Sequence, residues 1–320
     1  MSRIVVTGGA GRLGRSLVAG LAAAGHEIVS IDRAESDAAE LAGIRQLALD
    51  LTDADATARA LRAEADAGAD AVIHLAAIAV PFSAPEDVIL RTNAVLAVSV
   101  LGGSVAAGIT RIVAASSPTV LGYNCPTGWV PERFPLDEQT EPRPWNAYAL
   151  SKHLIEQTVR MYARQTGDAV RFASFRPCFV IAPEEWAGAP TQQGHTVRQR
   201  LDNPALSAPA VFNYVDARDV ATFCDRLLAA VPDIPNAETF FVGADDALAR
   251  EPLAELIPRF HPGTEQAAAA LTGTSPAFSN AKARRLLGWA PAHSWRGELA
   301  AAEATASATA ASPERKHQIA

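Results

Sequence analysis

The first half of the chain alternates short β-branched runs with longer stretches rich in alanine and leucine. The short runs are continuously apolar, which is typical of parallel strands buried on both faces of a sheet. The longer stretches have the length and composition of helices that cross over between such strands. We therefore predict an α/β fold, a Rossmann-like doubly wound parallel sheet. Its strand runs lie at 4–6, 28–31, 71–75, 112–115 and 170–175.

Two irregular segments interrupt this pattern. Residues 118–144 contain six prolines, and residues 183–209 follow the last of these strand runs. Long loops in compact domains are usually functional, so we expect both segments to lie together above the sheet. Further strand runs follow at 213–215 and 239–242.

The composition is that of a soluble globular protein. The chain has 320 residues, of which 49% are hydrophobic, and its formal net charge is -7. Because no Lys/Arg cluster with interleaved aromatic residues occurs, nucleic acid is not an expected partner. The three cysteines form no CxxC pair, which argues against a disulfide framework and favours the cytoplasm. The seven histidines show no metal-ligand spacing, so no metal is expected.

One apolar stretch resembles a signal peptide and another resembles a membrane span, but each is too short. The apolar run at 4–6 ends at glycines and is too short for a signal peptide. The small-apolar stretch at 94–108 contains serines and glycines and falls short of the ~20 residues that a membrane span needs. We therefore expect a buried helix there and no membrane partner.

The segment after the first strand run has the composition of a phosphate-binding turn. Residues 7–14 read TGGAGRLG, which satisfies the GxGxxG pattern and opens a helix. An ordinary tight turn can look similar, but a glycine turn between strand and helix brings bare backbone and helix amides to a pyrophosphate. We therefore predict a dinucleotide site that includes Gly8, Gly11, Arg12, Leu13 and Gly14.

Further cofactor contacts are expected where the next strand runs end. Asp32 lies 18 residues after Gly14, close to the ~20 expected for the acidic residue that holds an adenosine ribose. Its carboxylate should repel a 2′-phosphate, which predicts NAD rather than NADP, although Arg33 could instead pair with that phosphate. The following loops add Asp50, Leu51, Leu75, Ala76 and Ala77.

These features define the expected domains. Residues 1–177 form the dinucleotide-binding domain, to which a strand and a helix over 213–231 return. Residues 178–212 and 236–299 form a smaller C-terminal substrate-binding lobe. The tail over 300–320 is low in complexity and is expected to fray or to be disordered.

Tyr148 and Lys152 are four residues apart in a helical stretch, so both side chains lie on one face. A nearby ammonium, helped by a nicotinamide cation, should lower the pKa of the phenol from its usual value of about 10. Tyr148 could then exchange a proton with a substrate hydroxyl or carbonyl. A Tyr-x-x-x-Lys pair often occurs by chance, but Ser117 ends a strand run 31 residues earlier, at the same edge of the sheet. The combination predicts a catalytic trio.

Over nearly its whole length the chain resembles the extended short-chain dehydrogenases/reductases, the superfamily that contains NAD-dependent sugar epimerases and dehydratases. The resemblance is carried by the glycine loop at 7–14, HLAA at 74–77, TN at 92–93, SSPTVLG at 116–122, YALSK at 148–152, RP at 176–177, YVDARDVA at 214–221, SNAK at 279–282 and LGW at 287–289.

The resemblance implies roles for individual residues. Ser117 would hydrogen-bond the reacting oxygen, Tyr148 would be the acid/base, and Lys152 would hold the nicotinamide ribose and tune Tyr148. Asn93 would support the cofactor site from a neighbouring helix, although by sequence alone it could equally be a polar residue on a helix flank. The helix from Arg91 and the helix of Tyr148 would pack against their copies to form a homodimer through a four-helix bundle.

Three departures from the family pattern concern the substrate. Phe179 stands three residues after Arg176, where members that use nucleotide-diphosphate sugars usually have Asn. Those members also have a glycine-rich stretch that contains an arginine, and residues 206–212 of this chain have neither the glycines nor the arginine. Leu121 stands where many members of the family have Tyr. A nucleotide clamp is therefore not expected. The departures favour a smaller substrate, as in the uronate dehydrogenase and carbonyl reductase branches.

We thus predict an NAD(P)-dependent oxidoreductase that transfers hydride to or from a small hydroxy or carbonyl compound, such as a sugar or sugar acid. The alternative is a nucleotide-sugar epimerase or dehydratase with retained NAD, which the overall match favours and Phe179 opposes. A non-catalytic dinucleotide sensor is disfavoured by the presence of the trio.

Further side chains are candidates for substrate contact. Aromatic residues of the proline-rich segment could form an apolar wall over the nicotinamide, and three arginines could meet a carboxylate. The aromatic candidates are Tyr123, Trp129 and Trp145, and the arginines are Arg176, Arg198 and Arg200.

Overall fold

The computed structural model describes the backbone of residues 1–311 and the side chains of residues 1–305. Within that part of the chain the strands are β1 (Arg3–Thr7), β2 (Glu27–Asp32), β3 (Arg45–Ala48), β4 (Ala69–His74), β5 (Arg111–Ala115), β6 (Arg171–Pro177), β7 (Val180–Ile181), β8 (Val215–Asp216) and β9 (Glu238–Val242).

The helices connect these strands and extend beyond them. They are α1 (Arg12–Ala23), α2 (Ala54–Asp66), α3 (Glu86–Ala107), α4 (Ala147–Thr166), α5 (Pro183–Trp186), α6 (Val197–Asp202), α7 (Ala217–Ala230), α8 (Leu253–Phe260), α9 (Glu265–Ala268), α10 (Ala281–Leu287) and α11 (Trp295–Ala311).

Seven of the described strands form one parallel sheet in the order β3-β2-β1-β4-β5-β6-β9. The chain moves outward in one direction from β1 to β3 and in the other from β4 onward, so the strand order reverses between β1 and β4. Ligands of open α/β sheets bind at the carboxyl ends of the strands beside such a reversal. The predicted doubly wound fold is confirmed.

Helices cover both faces of the sheet, and each face has its own core. Ile4 and Val6 of β1 contribute to the core that α1 and α7 cover, whereas Val5 contributes to the core on the side of α2, α3 and α4. All three residues are fully buried. This two-sided burial explains why the strand runs are continuously apolar.

The lobe boundaries differ from the sequence prediction in two places. β9 lies in the main sheet beside β6, although the sequence predicts it in the smaller lobe. β8 pairs with β7 in a separate two-stranded sheet and does not return to the main sheet. The sequence alone did not show that β9 pairs with β6, because more than fifty residues separate these two strands along the chain. The irregular segments 118–144 and 183–209 both reach the cleft described below.

α3 is the one helix of the described residues whose length and composition would allow it to cross a membrane. The core helix of a soluble protein passes the same test. In this fold α3 packs between α2 and α4 and buries polar residues such as Asn93 and Ser104. Val95 and Val98 on its outer face remain exposed.

The C-terminal segment continues as helix within the described residues. Residues 300–311 belong to α11, which Trp295 and Leu299 anchor in the lobe as buried side chains. Alanine-rich sequence favours helix, and fraying of the tail stays a prediction. Residues 312–320 of the predicted tail lie outside the described part of the chain.

Candidate active site

A cleft of about 1160 Å³ opens at the carboxyl ends of the central strands. It is lined by every predicted cofactor and catalytic residue except Asn93. These residues are Gly8, Gly11, Arg12, Leu13, Gly14, Asp32, Arg33, Asp50, Leu51, Leu75, Ala76, Ala77, Ser117, Tyr148 and Lys152.

The glycine loop lies so close to its surroundings that side chains would not fit. Gly8 has a φ of +76°, and a Cβ there would lie 2.7 Å from the backbone nitrogen of Ala76. A Cβ on Gly14 would lie 2.1 Å from the carbonyl oxygen of Gly8. Because α1 begins with glycine as its N-cap and has no acidic residue in its first turn, its first amides face the cleft without a competing carboxylate.

Asp32 connects the glycine loop to the end of β2. Its Oδ2 accepts a hydrogen bond of 3.1 Å from the Ala10 amide, and its Oδ1 accepts one of 2.7 Å from the Arg33 amide. A carboxylate has about four lone-pair directions, so both oxygens keep acceptor capacity towards the cleft. The side chain is therefore held in place with room for hydroxyl donors.

Arg12 also lines the cleft but is not free. Its guanidinium forms an ion pair with Glu185 of α5, which is buried. Glu185 additionally accepts a hydrogen bond of 3.0 Å from the backbone of Ala182. The glycine loop is thus joined to the substrate-binding lobe by a charged contact.

Asn93 does not line the cleft. It is fully buried on α3. Its side chain accepts a hydrogen bond of 2.7 Å from the Ile78 amide and donates to Ile78 O at 3.2 Å and to Ser151 Oγ at 3.0 Å. It therefore fixes the loop after β4 to α4, one residue before Lys152.

Three elements bring the catalytic trio together. Ser117 follows β5 and caps the 3-10 turn at Pro118–Leu121, where its Oγ accepts a hydrogen bond of 2.9 Å from Thr119 Oγ1. Tyr148 and Lys152 lie on successive turns of α4, with Lys152 Nζ 5.9 Å from the centre of the tyrosine ring. Lys152 Nζ donates a hydrogen bond of 3.0 Å to the carbonyl of Ala115, which leaves further N–H donors of the ammonium for a ligand.

Burial governs the protonation of the trio. It raises the pKa of Tyr148 to about 12, opposed by a side-chain hydrogen bond with Ser117. It lowers the pKa of Lys152 to about 8. Desolvation dominates the pKa of the phenol in this structure. Tyr148 is consequently a neutral phenol at pH 7, beside a lysine that is still mostly charged. The lowering of the pKa of the phenol by Lys152 with the help of a nicotinamide cation stays a prediction.

A buried ion pair supports the trio from below. Arg176 donates to both carboxylate oxygens of Glu156, at 2.7 and 2.9 Å, and Ser116 Oγ donates to Glu156 at 2.6 Å. Burial alone would raise the pKa of Glu156, but these donors hold it at about 2. The pair joins the residue before Ser117 to the helix of Lys152. Arg176 is therefore not available to a substrate carboxylate, contrary to expectation.

The proposed aromatic wall is only partly present. Tyr123 and Trp145 line the cleft. Trp129 instead packs behind Tyr123 with ring centres 6.0 Å apart, and its indole N–H donates to the carbonyl of Leu121. Phe179, which replaces the family's Asn, lines the cleft as well.

The other two candidate arginines also lie off the cleft lining. Arg198 forms an ion pair of 2.9 Å with Glu303, and Arg200 is buried behind Phe179. Sequence reasoning missed the uncharged polar residues Gln192, Gln193 and Asn213, which do line this part of the cleft. They belong to no motif. Only the location of Gln192 and Gln193 in the irregular segment 183–209 could have drawn attention to those two, and no signal pointed to Asn213.

His74 is a buried histidine at the end of β4, with Nδ1 2.8 Å from Thr7 Oγ1. The pKa of His74 is lowered to about 3, mainly by burial and secondly by the charge of Lys152. His74 is therefore neutral at pH 7. Among the described residues there is no group of three or more His, Cys, Asp or Glu arranged to hold a metal ion.

Comparison with known proteins places this site in a family. The sequence profile described as "NAD dependent epimerase/dehydratase family" matches residues 4–243. The chain is 34% identical over 258 residues to an L-arabinose 1-dehydrogenase (NAD(P)(+)) of Haloferax volcanii, which covers 77% of this chain and 90% of that protein. It is 33% identical over 162 residues to a UDP-glucose 4-epimerase of Azospirillum brasilense, which covers 49% of this chain.

The match to that epimerase spans only 44% of the epimerase's length. Among solved structures, a short-chain dehydrogenase/reductase superfamily protein from Agrobacterium tumefaciens with bound NAD has a TM-score of 0.67 and 25% identity. The superposition covers 96% of this chain and 98% of that one. The similarity therefore extends beyond the cofactor-binding part to the whole described fold.

Proposed function

Because the chain belongs to the NAD-dependent epimerase/dehydratase family of extended short-chain dehydrogenases/reductases, we propose that it oxidises or reduces a small hydroxy or carbonyl compound, such as a sugar or sugar acid. The observation that carries this proposal is the presence of Ser117, Tyr148 and Lys152 in the same cleft as the glycine loop. A cofactor on the loop and a substrate at Tyr148 would share one enclosed space.

The residues present fit a nicotinamide dinucleotide. The glycine loop leaves room where a Cβ at Gly8 or Gly14 would collide with backbone, and the first amides of α1 suit a pyrophosphate. Asp32 would hold the adenosine ribose and Lys152 the nicotinamide ribose. When bound, the cofactor supplies the hydride acceptor or donor.

The chain's own residues would manage the proton. Tyr148 would donate its hydroxyl proton to a substrate carbonyl oxygen in reduction, or accept one in oxidation, while Ser117 hydrogen-bonds the same oxygen. The ammonium of Lys152 would stabilise the phenolate that forms after donation. The raised pKa of Tyr148 means that the phenol is protonated at neutral pH and can serve as the proton donor in reduction.

We propose NAD rather than NADP as the preferred cofactor. A 2′-phosphate at the adenosine ribose would face the carboxylate of Asp32, which two backbone amides hold in place. Arg33 is exposed on the cleft rim and is the residue that could reverse this preference.

We propose that the protein is a cytoplasmic homodimer. Five of its exposed large hydrophobic residues lie on α3 and α4, namely Val95, Val98, Leu150, Leu154 and Met161. Apolar surface concentrated on two adjacent helices is typical of an interface. Light scattering of Val98→Glu should give the monomer mass, whereas Val130→Glu, at a residue of similar exposure elsewhere, should remain dimeric. A wild-type monomer at micromolar concentration would refute the proposal.

A nucleotide-sugar epimerase is the competing function. The charged side chains of the described residues that line the cleft are Arg12, Asp32, Arg33, Asp50 and Lys152, all of which are assigned to the cofactor or to proton transfer. A diphosphate without positioned donors should be rejected because its charges must be desolvated.

The test combines binding and turnover. Calorimetry with UDP, dTDP and GDP should show no micromolar binding, and nicotinamide absorbance should change with NAD and small sugars or sugar acids. Micromolar affinity for any of the three nucleotides would instead support the epimerase.

A further inference from the structure

A buried arginine without an acidic partner among the described residues lies behind the substrate half of the cleft. Arg200 of α6 is 1% exposed. Its guanidinium donates to three neutral oxygens, Thr191 Oγ1 at 3.2 Å, the Leu206 carbonyl at 2.6 Å and Gln193 Oε1 at 2.5 Å. Arginine is seldom fully buried unless it is paired.

Three other arginines around the cleft are paired with carboxylates. Arg12 pairs with Glu185, Arg176 with Glu156, and Arg198 with Glu303. Burial lowers the pKa of Arg200 to about 10, which leaves it charged at neutral pH. Arg200 is therefore a buried guanidinium without a carboxylate partner within the described residues.

Only one layer of side chains separates this cation from the cleft. The guanidinium lies over the ring of Phe179, 4.5 Å from its centre. Phe179 and Gln193 both line the cleft, and Gln193 is exposed. Gln193 belongs to a turn closed by hydrogen bonds between Thr191 and His195, so its side chain can leave Arg200 without disturbing a helix or strand.

We propose that Arg200 binds an anionic oxygen group of the substrate, a carboxylate or a phosphate monoester, in the place that Gln193 Oε1 takes in this structure. The inference rests on the proposed function, because it narrows the small hydroxy or carbonyl compound to one that carries an anion.

The exchange is favourable on electrostatic grounds. An anionic oxygen adds Coulomb attraction to its hydrogen bonds with a guanidinium and can accept two of them in parallel, which a neutral amide oxygen cannot do. Thr191 and Leu206 would keep the guanidinium oriented while Gln193 moves to solvent. A single guanidinium matches one anionic group, which is consistent with the expected rejection of nucleotide diphosphates.

The test uses Gln193→Glu, which places a carboxylate against Arg200 and should occupy the subsite. Gln192→Glu is the matched control, since it adds the same charge to the neighbouring cleft residue, which is not among the hydrogen-bond partners of Arg200. Enzyme saturated with NADH, so that the pyrophosphate site is filled, is titrated calorimetrically with acetate or inorganic phosphate against chloride at constant ionic strength.

Wild type should bind acetate or phosphate. Gln193→Glu should weaken that binding by about tenfold or more, and Gln192→Glu by no more than about threefold. A preference for acetate indicates a carboxylate substrate, and a preference for phosphate indicates a phosphate monoester.

Failure to bind either anion, or equal weakening by the two variants, would overturn the anion subsite. Turnover of neutral hydroxy compounds in that case would leave the proposed function intact. Failure of the protein to bind NADH would instead remove the proposed function itself.

Discussion

The two halves of the cleft are built from different parts of the polypeptide. The cofactor half consists mainly of backbone, in the glycine loop, the start of α1 and the loops after the parallel strands. The substrate half consists of side chains such as Tyr123, Phe179 and Gln193, which lie in the segments that connect or follow the strands of the main sheet. Backbone sites are fixed by glycines and strand order, whereas side-chain sites can change without a change of fold.

The largest expected effect is a loss of turnover without a loss of NAD affinity when the hydroxyl of Tyr148 is removed. Tyr148→Phe keeps the ring and removes only the hydroxyl, so turnover should fall by roughly 10³-fold while NAD affinity stays nearly unchanged. Steady-state kinetics and NAD titration measure the two quantities. Tyr162→Phe, the same change further along α4, is the control and should leave both unchanged. Near-normal kcat in Tyr148→Phe would remove this residue from the mechanism.

The converse experiment damages only the cofactor half. Gly8→Ala forces a side chain into positive φ and against the backbone of Ala76, so NAD should bind about thirtyfold more weakly. Gly25→Ala is the matched control, because Gly25 also has positive φ (+90°) but nothing within 4 Å of the point that a Cβ would occupy. It should lose stability but not NAD affinity. Equal NAD affinity in the two variants would show that the close loop contact is unimportant.

Lys152 belongs to both halves, and its pH dependence should show this. Its pKa is about 8 in the fold against 10.5 when unperturbed, so between these values the folded state binds fewer protons than the unfolded state. Relative to Lys152→Met, the free energy of unfolding should therefore be constant below pH 8 and rise from pH 8 towards 10.5.

Activity should follow the opposite trend. Loss of the ammonium removes a donor to the ribose and the stabilisation of the phenolate, so kcat/KM should fall by about tenfold per pH unit above pH 8. Lys152→Ala should weaken both NAD binding and rate at pH 7. An activity profile that is flat to pH 10 would contradict the assigned role.

The smallest expected effect concerns the choice of cofactor. Asp32→Asn removes the charge but keeps the hydrogen-bonding shape, so the preference for NAD over NADP should decrease by about fivefold. Arg33→Ala should leave NAD affinity nearly unchanged. If Arg33→Ala mainly weakens NADP binding and wild type binds both cofactors equally, Arg33 sets the preference instead.

The difference between a cofactor half built from backbone and a substrate half built from side chains also explains which features could be predicted from the sequence. Continuous apolar runs predicted β1, β2, β4 and β5, because strands that are buried on both faces of a sheet consist almost entirely of apolar residues. The spacing of Tyr148 and Lys152 was informative because a helix converts it directly into proximity. The partner of β9 was not predictable, since that pairing depends on how the chain crosses the sheet after the lobe.

Side-chain environments were predicted least well. Arg176 and Arg200 carry the same charge and lie in the same part of the chain, yet one faces Glu156 and the other faces neutral oxygens. The raised pKa of Tyr148 arises from desolvation, which depends on packing rather than on spacing. Composition and motif cannot specify either property.

The buried pair of Glu156 and Arg176 has a consequence for how this enzyme could diverge. Replacing either residue alone would leave an unpaired charge in the core at a cost of about 3–5 kcal/mol, so evolutionary paths through single substitutions are closed. Gln193 is exposed on a turn, where solvent or a ligand can replace its hydrogen bond to Arg200. New substrate preferences should therefore arise by substitutions in the turn that carries Gln193. The ion pair of Glu156 and Arg176 should be retained, or both of its residues should change together.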